Sequence, residues 1–171
     1  GGKTITACAI SEAASLLGKR TLLVEANINA DSFMNVKAVF NLPNLTYSLT
    51  EIHHNLYAMS INTSSSMEEY VISKIKSKFI YNKIFNRGFI QHLFLAVPGF
   101  REMFLIGKIY WEAKNLSRNN FDIVVWDGPP IGNLELYLKV SDIISHLVRF
   151  GTIHNDAKAI EAFITDEKNT A

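Results

Sequence analysis

Four residues at the start of the chain, Gly1-Gly2-Lys3-Thr4, have the types and order suited to holding phosphate. The last three match the end of the P-loop pattern G-x-x-x-x-G-K-[ST], which lies between a strand and a helix. In such a loop, backbone N–H groups and the helix N-terminus bind phosphate. The lysine bridges the β- and γ-phosphates, and the hydroxyl binds Mg²⁺. That chemistry would make Gly2, Lys3 and Thr4 nucleotide-binding residues, with Thr4 also on the metal. The same tetrapeptide also reads as a glycine-rich lead into an ordinary helix with Lys3 solvated. Three residues do not decide between the two.

An ATPase of this kind needs a carboxylate at the end of a second strand, to hold Mg²⁺ through water. Asp127 ends the apolar run "DIVVWD" and is the candidate. A strand-end Asp that caps a turn is the plainer reading. Behind Asp127 comes "DGPPIGN", where the rigid Pro129-Pro130 pair and then Gly132 would bring a backbone N–H to the γ-phosphate. The two segments together are more specific than either alone.

These residues need elements to position them. Residues 4–18 carry Ala7, Ile10, Ala14 and Leu17 at helical spacing, with Gly18 as the natural C-terminal stop. "KRTLLVEAN" follows as a buried strand, its apolar residues running without alternation as in parallel sheets. A turn of helix is expected within 28–41 and a short strand around Leu56 to Ile61. "SSSMEEYVISKIKSKFIYNKIFNRG" reads as a helix with Ser65 or Ser66 as N-cap and Glu69 near the capping-box position. "PGFREMFLIGKIYWEAKNLSRN" reads as a second helix, with Pro98 near its start. After the "IVVW" strand, "LELYLKVSDIIS" is expected to be helical and "HLVRFG" to be a strand. "NDAKAIEAFITDE" is expected to be a closing helix capped by Asn155. Helix and strand alternate at both ends around a helical insert at about 65–118. The order predicts an α/β fold with a mainly parallel sheet, and no linker marks a second domain.

Composition narrows the classes. The chain has 171 residues, enough for one domain with a core, and a formal net charge of +1. No large field draws it to nucleic acid or an anionic membrane, and no nucleic-acid partner is expected. No apolar run approaches the roughly 18 residues of a membrane-spanning helix. Cys8 is the single cysteine, so no intramolecular disulfide can form, which fits a reducing cytoplasmic setting.

With both ends of the site placed, the sequence resembles the ArsA-type ATPases, the family of arsenical pump-driving and tail-anchored-protein-targeting ATPases. The resemblance spans nearly the whole chain. It is strongest at "AVPGFREMFLIGKIY", Ala96 to Tyr110, which matches a segment of bacterial members. The family's deviant P-loop is G-K-G-G-x-G-K-T, so Gly1 falls on the variable position and Gly2, Lys3 and Thr4 complete it. "GKRTLLVEAN" resembles the strand leading to switch I, and "FDIVVWDGPPIGN" resembles switch II. The resemblance implies a P-loop NTPase-like sheet flanked by helices, over one partial domain from 1 to 171. It implies Mg²⁺-dependent ATP hydrolysis at a homodimer interface, with Lys3 and Thr4 on phosphates and metal. Asp127 would hold the metal's outer shell, and Pro129 and Gly132 would lie near the γ-phosphate. It also implies that the sequence is an internal piece, without the first strand, half of the P-loop and the adenine-binding end.

Departures from the pattern bear on turnover. The family's water-orienting Asp aligns with Asn27, an amide that cannot take a proton; an alternative register gives Asp31 that role. General-base assistance is worth ~10²–10⁴-fold, so slow turnover is an expected alternative, with the chain acting as a nucleotide-dependent binding module. Ile131 and Asn133 replace the family's Thr and His in switch II, whereas Asp127, Pro129 and Gly132 stand. A decayed, inactive remnant is a third reading.

The insert carries Lys74, Lys76, Lys78, Lys83 and Arg87 beside Ile75, Phe79, Ile80, Ile84 and Phe85. That is an amphipathic helix with a solvated basic face, or a patch for a hydrophobic client or membrane-protein partner. Binding of a soft metalloid needs clustered thiolates, and Cys8 is single and expected to be packed. His53 and His54 are adjacent on a strand, point to opposite faces and would not chelate one metal.

Overall fold

The computed structural model describes residues 2–26, 35–75, 99–114 and 120–170. Gly1, Asn27, Asp31, Pro98 and the basic residues from Lys76 to Arg87 lie outside them. The chain divides into two compact units, Gly1–Asn62 with Trp111–Pro130, and Thr63–Tyr110 with Ile131–Ala171.

The first unit holds the sheet. Helix α1 (Lys3–Leu16) is followed by strand β1 (Thr21–Ala26), the short helix α2 (Val36–Val39), and strands β2 (Thr50–His53), β3 (Leu56–Ile61) and β4 (Ile123–Asp127). The sheet order is β2-β3-β1-β4. β1 pairs in parallel with both β3 and β4, and β2 is an antiparallel edge. The mainly parallel α/β fold is therefore as expected.

The sequence explains this arrangement locally. Leu22, Leu23 and Val24 are fully buried, as a central parallel strand requires. The buried face of α1 is small: Ala7, Cys8, Ser11, Ala14 and Ser15. Ser11 and Ser15 return their hydroxyls to the helix's own carbonyls of Ala7 and Glu12, so no buried hydroxyl lacks a partner on that face. Ala7 and Cys8 pack with Leu23, Ala58 and Val36 in the core. Gly18 ends α1 at φ +78°: its N–H donates to Ser15, and that of Lys19 donates to Ala14. This is the left-handed glycine stop expected from the sequence. β2 was not foreseen. The turn at His54-Asn55, with Asn55 at φ +66°, folds it back on β3.

The second unit is helical: α3 (Thr63–Ile75), α4 (Phe100–Lys114, up to Tyr110), α5 (Ile131–Leu147) and α6 (Thr152–Ile164). The "PGFREMFLIGKIY" segment builds its core. Phe100, Met103, Phe104, Leu105 and Ile106 are buried. Gly99 opens α4 at φ +89°, where a Cβ would lie 2.9 Å from the Val140 Cγ2 of α5. Lys108, only 8% exposed, pairs with Glu69 of α3 at 2.8 Å. Tyr70 Oη donates to Asp156 of α6 at 2.8 Å, and Lys74 Nζ reaches the same carboxylate at 2.6 Å.

Three expectations are corrected here. "HLVRFG" is no strand: His146 and Leu147 finish α5, and 148–151 turn into α6. His154 Nδ1 sits 3.0 Å from the carbonyls of both Ser145 and Val148, which closes α5 without strand pairing. Asn155 is not the cap of α6. Gly151 is, and the Asn155 N–H already donates to the Gly151 carbonyl. Nor do Ser65 or Ser66 cap α3, which begins at Thr63. Glu69 serves Lys108 instead of a capping box.

Candidate functional site

The site is built at the C-terminal ends of parallel strands, where the N-terminus of α1 arrives. Gly2 caps α1 in the left-handed region, φ 98° and ψ −16°, and no side chain caps the helix. A Cβ at Gly2 would meet nothing within 4 Å, so the backbone angle, not crowding, selects glycine. The first helical bond runs from Thr6 N–H to the Gly2 carbonyl. The N–H groups of Lys3, Thr4 and Ile5 therefore stand ahead of the helical ladder, at its positive end. Lys3 is exposed and enters no ion pair among the described residues.

Thr4 Oγ1 donates to Asp127 Oδ2 at 2.7 Å. The two segments that carry the sequence signal thus meet side chain to side chain. Asp127 is partly buried and Pro129 is buried behind it. Gly128 faces the Trp126 indole, where a Cβ would lie 3.4 Å from ring carbons. Gly132 and Asn133 belong to the first turn of α5, in the other compact unit.

A second carboxylate belongs to this end of the sheet. Glu25 is the register partner of Asp127 across β1 and β4. Its Oε1 accepts the Val36 N–H at 2.9 Å. The sequence reading passed it over as a strand residue; the parallel register with Asp127 is the signal that marks it. Both acids act on Cys8, which is buried in the core at 3% exposure. Burial first, then the Asp127 and Glu25 carboxylates, push its thiol from 9.0 up to about 11. It is packed, as expected, and it is a poor thiolate.

The donors here are a hydroxyl and carboxylates, hard oxygens of the kind Mg²⁺ takes. Mg²⁺ is ordinarily held by one or two carboxylates plus phosphates and water, not by a full protein cage. Among the described residues no three His, Cys, Asp or Glu side chains converge on a common point. His53 and His54 do not form a ligand pair. His53 Nε2 lies 2.7 Å from Glu12 Oε2, and its Nδ1 lies 3.1 Å from the His54 carbonyl.

The family model described as anion-transporting ATPase (ArsA) matches residues 1–170. The chain belongs to this family. The chain is 25% identical to ATPase BagA of Mycobacterium tuberculosis (strain ATCC 25618 / H37Rv) over 168 residues. That match covers 93% of this chain and 48% of BagA. It is also 25% identical to ATPase get3 of Schizosaccharomyces japonicus (strain yFS275 / FY16936) over 177 residues, 98% of this chain and 52% of the relative. The chain spans about half the length of the curated relatives it matches. Its fold is the P-loop NTPase-like α/β fold of the ArsA family. No helix among the described residues is long and apolar enough to cross a membrane.

Proposed function

We propose that the full-length protein binds ATP and hydrolyses it with Mg²⁺. The observation that carries this is the 2.7 Å hydrogen bond from Thr4 to Asp127, beneath a helix N-terminus opened by a left-handed glycine. The N–H groups of the first turn of α1 would take the β-phosphate, and Lys3 would bridge the β- and γ-phosphates. Thr4 would turn an oxygen to the cation, and Asp127 would hold its water shell. The family resemblance adds Gly1 to the cradle, and Pro129 and Gly132 on the γ-phosphate side. When bound, Mg²⁺ supplies neutralising charge to the phosphate oxygens. The resemblance also motivates a homodimer with ATP at its interface. The basic and apolar residues of the insert motivate a hydrophobic client or membrane-protein partner, and a cytoplasmic location goes with both.

ATP turnover by the full-length protein, compared with Lys3→Ala, tests the reading. Loss of a phosphate-bridging lysine should lower kcat/KM by about 10²-fold or more. Equal rates would overturn it.

A second reading is favoured by Asn27, with Ile131 and Asn133: a nucleotide-dependent binding module that hydrolyses slowly or not at all. Tight ATP binding by calorimetry with negligible turnover would favour it. Asn27→Asp should then raise turnover, by up to ~10²–10⁴-fold if general-base assistance is restored. No gain would reject that alignment.

A further inference from the structure

The strand end that carries Asp127 is braced from the opposite face of the sheet. We propose that Trp126 is a positioning residue for the hydrolysis proposed above: its indole packs on Gly128 and fixes the backbone on the far side of Asp127.

Successive residues of a strand point to opposite faces, so positions 126 and 128 share a face and Asp127 points the other way. On its own face Asp127 accepts the Thr4 hydroxyl at 2.7 Å. On the opposite face, a Cβ on Gly128 would lie 3.4 Å from Cδ2 and Cε2 of Trp126 and 3.5 Å from Cζ2. These carbons belong to the six-membered ring, so the ring covers the point from which a side chain at 128 would start. Gly128 is not among the glycines held at positive φ. The indole, not a left-handed backbone, is therefore what limits this position to a small residue.

The chain needs a restraint here. Asp127 ends β4, an edge strand that pairs, among the described residues, with β1. Glycine follows, with the widest backbone freedom of any residue. The buried Pro129 and then Pro130 restrict φ from the other side. Packing of the indole on Gly128 closes the loose joint between the paired strand and the proline pair. Trp126 is itself held in the strand, as the register partner of the fully buried Val24. The aim of the Asp127 carboxylate at Thr4 thus depends on a contact between its two chain neighbours. Misplacing a positioning group by about 1 Å can cost ~10²-fold in rate. Thr4, Trp126, Asp127 and Gly128 all belong to the sheet unit.

This inference rests on the ATPase reading, and its test separates the two. Full-length wild type is compared with Trp126→Leu, Gly128→Ala, Gly128→Val and the double variant Trp126→Leu/Gly128→Val. The readouts are kcat and KM for ATP at saturating Mg²⁺, the Mg²⁺ concentration for half-maximal turnover, and the thermal midpoint without nucleotide or metal. Gly128→Ala adds a carbon at ordinary contact distance and should stay within about twofold of wild-type kcat. Trp126→Leu frees the joint, and Gly128→Val drives a branched side chain against the ring. Each should lower kcat about tenfold and raise the Mg²⁺ requirement about threefold, with KM for ATP within about twofold. In the double variant valine fills space that the indole leaves. Its kcat should return to within about threefold of wild type, and its midpoint should lie above that of Gly128→Val. A double variant as slow as the two single losses multiplied together would overturn the proposal, because the two side chains would then act independently. So would Trp126→Leu with wild-type kcat and Mg²⁺ requirement. If Trp126→Leu does not fold, wild-type kcat in Gly128→Val overturns the proposal by itself. A wild type with no turnover would overturn the ATPase reading and the catalytic part of this role, while the midpoints still decide whether positions 126 and 128 pack as a pair.

Discussion

At Cys8, burial and two neighbouring carboxylates act in the same direction. A thiol held near 11 carries almost no thiolate at neutral pH, so the native protein should resist iodoacetamide and react only on unfolding. Labelling followed by mass spectrometry, with and without denaturant, checks this. His53 behaves oppositely. Both its ring nitrogens face acceptors, Glu12 Oε2 and the His54 carbonyl, so the doubly protonated ring fits the site. Hydrogen bonding to Glu12 is the main cause that raises its pKa above the ordinary 6.5. The stabilisation is fully present below 6.5 and is lost as pH rises through the higher folded value. Thermal midpoints should therefore fall over that window in wild type and fall less in Glu12→Gln, and an equal fall in both would reject the pairing. The pair spans 41 residues of sequence, which is why composition and local spacing gave no hint of it. Lys3, Thr4 and Asp127 were legible because each sits at a boundary that chemistry marks: a helix start, or an acid closing an apolar strand. Glu25 was not, because its meaning comes from a neighbouring strand.

Elements were legible where their hydrophobic pattern was strong. β1 and β4 carry continuous apolar runs, β3 is apolar but for Ser60, and α1 has helical spacing with a glycine stop. β2 escaped because "TEIH" is short and has Ile52 as its one apolar residue, and its pairing depends on the Asn55 turn. "HLVRFG" misled because its apolar residues suggest burial. In the fold Leu147 and Phe150 are 62% and 85% exposed, and His154 closes the preceding helix instead. The glycines of the "PGFREMFLIGKIY" segment make a paired prediction. Gly99→Ala meets both a left-handed φ and a 2.9 Å approach to Val140, and should cost about 2–4 kcal/mol. Gly107→Ala adds only an ordinary 3.7 Å contact with Ile160 inside a helix, and should gain about 0.5–1 kcal/mol. Urea melts of the two variants check the opposite signs.

Over the whole chain, what the sequence left open is mostly what lies against each surface. On α1, Ile5, Ile10 and Leu16 are exposed, as is Leu17 at its C-cap (81%), on the two flanks of the packed face. A helix apolar on both faces is normally covered. The 171-residue chain should therefore self-associate as its concentration rises, and Ile10→Lys with Leu17→Lys should reduce this in sedimentation velocity. The net charge of +1 should leave it without tight DNA binding near physiological salt, measurable by fluorescence anisotropy. The bond between Thr4 and Asp127 also has a bearing on time. Its partners are 123 residues apart, so on a ribosome the first is made long before the second. At about 5–20 residues per second, roughly 6–25 s pass between them. Through that interval a nascent chain carries a helix start without the acid that meets it, so under the proposed ATP-binding reading affinity for nucleotide should switch on late in synthesis.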